Sequence, residues 1–268
     1  MKYGLYLRNS GPLATRDVLI QCARIADSAP IDDLWVFDHL AISPEESEGS
    51  GGLYVEPLAT LAFVAGATER IGLGTGILVL PYRPALLMAK WAASLQTLSG
   101  GRLRLGVGVG WMKSEFQALG VDHSRRGRLA DEALELLHRC FANDEVEVNG
   151  QRFLFLPRPT RPPIYVGGAG DHAIQRAVKF GDGWMPGGME PNKLERPIAR
   201  LHALALEAGR PVPEVVALGS LPLDNPAQAR SQVGALAAVG VTRLAINYPY
   251  ASVDEFRRAV DAVASFPK

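Results

Sequence analysis

Cysteine is nearly absent: Cys22 and Cys140 are the only two in 268 residues. Each sits inside a helix-like pattern and neither belongs to a Cys-x-x-Cys pair, so a disulfide framework and a thiolate zinc site are excluded, and two buried free thiols are expected. An excess of either charge is missing as well. The 28 basic and 28 acidic side chains cancel, which leaves no polycationic face for nucleic acid and no acidic tail. No apolar run reaches the length of a membrane span, and Met1 to Arg8 has neither the apolar core nor the small-residue cleavage site of a secretory signal. The expectation is a cytoplasmic protein without a membrane or nucleic-acid partner. The 5 histidines include no His-x-x-x-His pair, and no metal site is expected.

What is present is a core. With 47% apolar and 21% charged residues, the chain has the composition of a globular protein, and its length suits one α/β barrel domain over residues 1–268. Strand-like runs fall at Tyr3 to Leu7, Leu34 to Phe37, Ile71 to Leu80, Leu103 to Val107, Pro163 to Val166, Gly183 to Met185, Val215 to Ser220 and Arg243 to Ile246. Helical periodicity follows each, near 15–28, 57–67, 84–98, 126–142, 171–180, 192–208, 226–239 and 253–264. Eight alternating units predict parallel strands closed into a (β/α)8 TIM barrel. One fewer would make an open doubly wound sheet competitive. Asn149-Gly150 between alternating runs predicts a hairpin inside an insertion at about 144–162, between strands four and five.

In such a barrel the loops at the C-terminal strand ends converge on one mouth. The unusual residues gather there: Asp38-His39 after strand two, Gly74-Thr75-Gly76 in strand three, Gly106 to Trp111 at the end of strand four, and Gly167-Gly168-Ala169-Gly170 after strand five. Each has a plain reading beside a functional one. Glycines in a barrel relieve crowding, and the strand-four run is not the dinucleotide fingerprint, which needs Gly-x-Gly-x-x-Gly opening a helix. A carboxylate beside a histidine closes many loops. The Gly167–Gly170 turn opens directly into a helix whose N–H groups suit phosphate, although Asp171 is placed to cap that helix and repel an anion. Arg126-Gly127 and Asp131-Glu132 read as a surface or interhelix ion-pair set.

Taken in order, Phe37-Asp38-His39, Arg70 to Gly76, Ser99-Gly100-Gly101-Arg102, Gly106 to Trp111, Arg126-Gly127 and Gly181-Asp182-Gly183-Trp184 resemble the luciferase-like monooxygenase superfamily, and most closely its deazaflavin-dependent oxidoreductase branch. The resemblance implies a (β/α)8 barrel holding coenzyme F420, or alternatively FMN, at the mouth. It implies a bulge at Gly76-Ile77, often with a non-prolyl cis peptide, behind the ring system. Thr75, Gly76 and Ile77 would then face the ring, Gly108, Val109 and Gly110 would run along it, and Gly167, Gly168, Ala169 and Gly170 would approach the phosphate. Asp38, which also belongs to the implied cofactor set, and His39 match the substrate-side polar pair, with Asp38 orienting the catalytic imidazole. Trp111 stands where some relatives place a Glu, so it can wall a substrate pocket but cannot exchange a proton.

The reaction implied is hydride transfer between F420 and a small organic substrate. The alternatives are a two-component FMN-dependent monooxygenase and a non-catalytic flavin-binding barrel. A phosphate-sugar isomerase lacks a Lys or Glu base at the expected strand ends. Substrate identity rests with loops 40–55, 111–125 and 186–192, which carry no motif. A homodimer through helices two and three is possible, with Phe63 and Trp91 as contact candidates.

Overall fold

Eight parallel strands close on themselves in the computed structural model, which describes residues 1–47 and 49–267. In chain order the elements are β1 (Lys2–Tyr6), α1 (Arg16–Ser28), β2 (Asp33–Val36), α2 (Pro57–Ala65), β3 (Gly72–Val79), α3 (Ala85–Leu98), β4 (Leu103–Gly108), α4 (Lys113–Ala118) and α5 (Arg126–Ala142). They continue with β5 (Glu145–Val148), β6 (Gln151–Leu154), β7 (Ile164–Gly167), α6 (Asp171–Phe180), β8 (Gly183–Met185), α7 (Pro191–Glu207), β9 (Glu214–Gly219), α8 (Pro226–Ala238), β10 (Arg243–Ile246) and α9 (Val253–Ala264). Round the barrel the order is β1-β10-β9-β8-β7-β4-β3-β2, with β1 returning to β2. The predicted TIM barrel is therefore present, with each of the eight predicted strands in it. The antiparallel pair β5–β6 stands apart as the predicted insertion, turned through Asn149 (φ 53°) and Gly150 (φ 76°). Two successive left-handed residues are what a two-residue hairpin turn requires.

Small and large residues share the barrel interior because eight strands leave room for only a few big side chains at each level. Trp35 fills the centre, wholly buried; a Cβ on Gly4 would come within 2.5 Å of its ring and one on Gly74 within 2.2 Å. Tyr6, Tyr165, Met185, Val216 and Ala245 pack around it, with Phe37, Ile77 and Leu218 above. Below lies a charged floor at the strand starts. The Asp33 carboxylate pairs with Arg243 and lies 3.7 Å from Arg104, while Arg243 lies 3.5 Å from Glu214. Helices cover the outside with apolar stripes, and Cys22 and Cys140 are buried free thiols among them. Burial pushes the Cys22 thiol up to about 12, so it stays protonated. Among the described residues no helix is long and apolar enough to cross a membrane.

Candidate active site

At the mouth, β2 hands over to a loop pinned from two sides. The Asn9 side chain, fully buried, accepts the Phe37 N–H at 3.0 Å and donates to the Phe37 and Val55 carbonyls at 2.8 and 2.7 Å. That fixes the next two residues, Asp38 and His39. Asp38 turns toward β3: its carboxylate accepts both Arg83 guanidinium nitrogens, at 2.7 and 2.8 Å, and the Val79 N–H at 2.8 Å. Arg83 also donates to Glu56 at 2.7 Å, at the N-terminus of α2. Burial pushes the Asp38 carboxyl up and Arg83 pulls it back, so one ion triad ties together β2, α2 and the end of β3.

His39 has a different partner from the expected one. Its Nδ1 lies 2.9 Å from Glu115 Oε2, so Asp38 does not orient the imidazole. Glu115 comes from α4, a helix inside the 111–125 stretch read as a featureless loop. Its side chain is fully buried and gathers the Leu40 and Ala41 N–H groups on Oε1 at 2.6 and 3.0 Å, and the Tyr82 hydroxyl on Oε2 at 2.9 Å. Burial alone would push the Glu115 carboxyl up. The hydrogen bonds from His39, Ala41, Leu40 and Tyr82 outweigh it and hold the group at about 2. Burial, and then the same contact, push Tyr82 upward, so its hydroxyl stays a donor. A signal for α4 was there to read: Met112, Phe116 and Leu119 repeat at helical spacing, the first two buried.

The strand-three bulge lies where expected, with a register shift between Thr75 and Leu78 and a cis Gly76–Ile77 bond. The missing side chains there face protein. A Cβ on Gly76 would lie 2.0 Å from the Tyr6 hydroxyl, which donates to the Gly76 carbonyl at 2.7 Å. So the bareness of Gly76 makes room for Tyr6, and its side-chain direction is not open to a ligand. The buried Thr75 hydroxyl donates to Gly106 at 2.6 Å. Gly108 and Gly167 flank Ile77: added Cβ atoms would meet Ile77 at 2.2 and 2.7 Å. Ile77 itself stays half-buried and packs, as Phe37 does, against the central cluster, where the Phe37 ring stacks on Tyr6 at 4.2 Å.

Three strands round from β2, the β7 loop presents Gly168, Ala169 and Gly170, all exposed, with the Gly168 carbonyl held by Trp184 Nε1 at 2.9 Å. Gly170 occupies the N-cap of α6 with φ 79°, and no side chain caps the helix. The expected Asp171 cap is not made. Asp171 lies in the first turn and is exposed. Trp111 is 69% exposed ahead of α4. Asp131 pairs with Arg176 across α5 and α6 at 2.5 Å and Glu132 with Arg128 within α5 at 3.5 Å, whereas Arg126, expected in that ion-pair set, donates to the His123 carbonyl at 3.0 Å instead. Among the described residues no group of three or more His, Cys, Asp or Glu side chains could hold a metal ion.

The chain matches a known family over nearly its whole length: residues 5–264 fit the family model described as luciferase-like monooxygenase. The protein belongs to the luciferase-like monooxygenase family. A relative of undescribed activity from Mycobacterium tuberculosis is 33% identical over 228 residues, covering 77% of this chain and 78% of the relative. Also similar is the F420-dependent hydroxymycolic acid dehydrogenase of Mycobacterium tuberculosis, 31% identical over 205 residues, or 72% of this chain and 55% of that one. The crystal structure of the monooxygenase RslO1 from Streptomyces bottropensis superposes with a TM-score of 0.84 at 19% identity, covering 98% of each chain. That likeness shows the barrel fold.

Proposed function

We propose that this luciferase-like protein is a deazaflavin-dependent oxidoreductase that transfers a hydride between coenzyme F420 and a small organic substrate. The observation that carries the reading is the apolar floor of Phe37 and Ile77 at the same mouth as a 21% exposed histidine whose Nε2 has no hydrogen-bond partner among the described residues. A flat tricyclic ring needs such a floor, a proton-handling group at one edge, and donors for its phosphate tail. The residues present fit those needs. Phe37 and Ile77 would support the ring, with Gly108, Val109 and Gly110 along its side. The uncapped start of α6 at Gly168, Ala169 and Gly170 would offer N–H groups to the phosphate, with Asp171 weakening that attraction. When bound, the deazaflavin supplies the carbon that exchanges hydride.

The protein's own residues orient the substrate and move its proton. His39 would exchange a proton with the substrate oxygen, as a histidine does near neutral pH. Trp111 would wall the pocket. Asp38, locked to Arg83, would hold the loop that carries His39 and would not touch the substrate. A fluorescence-quenching titration checks the reading. Oxidised F420 should saturate the protein at least tenfold more tightly than FMN, a difference of about 1.4 kcal/mol. Tighter FMN binding would move the assignment to an FMN-dependent monooxygenase, and binding of neither would end it.

A further inference from the structure

Glu115 is a fully buried carboxylate whose four hydrogen-bonding neighbours come from two other segments of the mouth. Two of them, the Leu40 and Ala41 N–H groups, can only donate, and both use Oε1. Oε2 faces the Tyr82 hydroxyl and His39 Nδ1, each at 2.9 Å. An ionised carboxylate has acceptors only, so the imidazole must present Nδ1–H to it. A neutral imidazole carries one N–H. Nε2 is therefore left as a bare acceptor, and it is the ring nitrogen without a partner among the described residues.

We infer that Glu115 is a positioning residue that fixes the tautomer of His39, making His39 a proton acceptor through Nε2 for a substrate that carries an O–H group. The inference rests on the oxidoreductase reading above for its chemistry. In that reaction the substrate hydroxyl gives its proton to Nε2 while the carbon bearing it passes hydride to oxidised deazaflavin. A carbonyl remains, and the imidazolium so formed stays bound to the Glu115 carboxylate. Tyr82 and the two backbone donors keep that carboxylate aimed. The tilted Tyr54 ring, with its centroid 4.9 Å from that of His39, limits how far the imidazole can swing.

The test reads the two ring nitrogens of His39 by 15N NMR on the cofactor-free protein, at a pH above the histidine range. In the parent, Nδ1 should show the protonated shift and Nε2 the unprotonated one. Glu115→Gln should exchange them. Its amide oxygen must stay with Leu40 and Ala41, because the amide NH2 there would face two donors, and the NH2 group then donates to Nδ1 and drives the proton to Nε2. Tyr82→Phe, which leaves both carboxylate oxygens in place, should keep the parental pattern. A parent protein with its proton on Nε2 overturns the inference even if Glu115→Gln fails to fold, and so does a folded Glu115→Gln that keeps the parental tautomer. Failure of F420 to bind would sink the oxidoreductase reading alone, since the ring nitrogens are read without it.

Discussion

Ile77 is held between two glycines that differ in how much they can yield. A methyl group on Gly108 would press on the Ile77 Cδ1 at 2.2 Å, the free end of a flexible chain, whereas one on Gly167 would meet Cγ2 at 2.7 Å and the Val107 carbonyl at 3.1 Å. The β-branch cannot swing away as the chain end can. Gly167→Ala should therefore destabilise by about 2–3 kcal/mol and Gly108→Ala by about 1 kcal/mol in urea unfolding. Ile77→Ala in the Gly167→Ala background should recover part of the loss, so the pair departs from additivity. Glu115 makes a second prediction at this scale. Its carboxyl, held at about 2 in the folded state against an ordinary 4.5, stabilises the fold above the unfolded value, and that stability is lost as pH falls through the folded one. Roughly 3 kcal/mol is at stake. The stability gap between the parent and Glu115→Gln should hold from neutral pH down to the ordinary Glu value and close from there towards the folded one. A gap that does not change with pH would contradict the buried, ionised carboxylate.

Between elements, the Asp38–Arg83–Glu56 triad is the fastening that matters most to the mouth. Arg83→Met leaves Asp38 buried without its cation, with only the Val79 N–H as compensation. That should cost about 3–5 kcal/mol and, through the loop, weaken cofactor binding. Adding Asp38→Asn to Arg83→Met should restore part of the stability, because the uncompensated charge is gone. The β5–β6 hairpin is a contrasting case. Gly150→Ala forces a side chain onto a residue with φ 76° and should cost about 1 kcal/mol in thermal or urea unfolding. It should leave F420 binding unchanged, since the hairpin pairs only with itself.

At the scale of the molecule, closure of the barrel depends on β10 meeting β1, and their first pair places Arg243 beside Lys2. Arg243 carries the floor charges of Asp33 and Glu214. Arg243→Met leaves the buried Asp33 carboxylate with only Arg104, 3.7 Å away, and should cost about 3 kcal/mol, lowering the unfolding midpoint without changing the slope. The expected homodimer belongs to this scale as well. Phe63 on α2 is 39% exposed, and Leu87, Trp91 and Leu98 on α3 are 51%, 42% and 76% exposed. If these helices pair with a second copy, Trp91→Arg should convert the dimer to a folded monomer in light scattering. A parent protein that is already monomeric would end that expectation.

The sequence by itself determined the alternation of eight strands and helices, and with it the barrel, because hydrophobic period and turn chemistry are local signals that survive without tertiary contacts. It located the Asn149-Gly150 turn for the same reason and placed His39 at a strand end, while the bulge at Gly76-Ile77 was implied by the family resemblance. Only the tertiary structure decided who meets whom. His39 and Glu115 are 76 residues apart, and adjacency in the chain pointed to Asp38 in place of Glu115. The glycines were legible as bare positions, but a missing side chain does not say what fills its space. Gly76 clears Tyr6, Gly74 clears Trp35, and Gly108 and Gly167 clear Ile77. Those assignments follow from the closing of the barrel, which brings inward-facing residues of distant strands to one level where only a few large side chains fit.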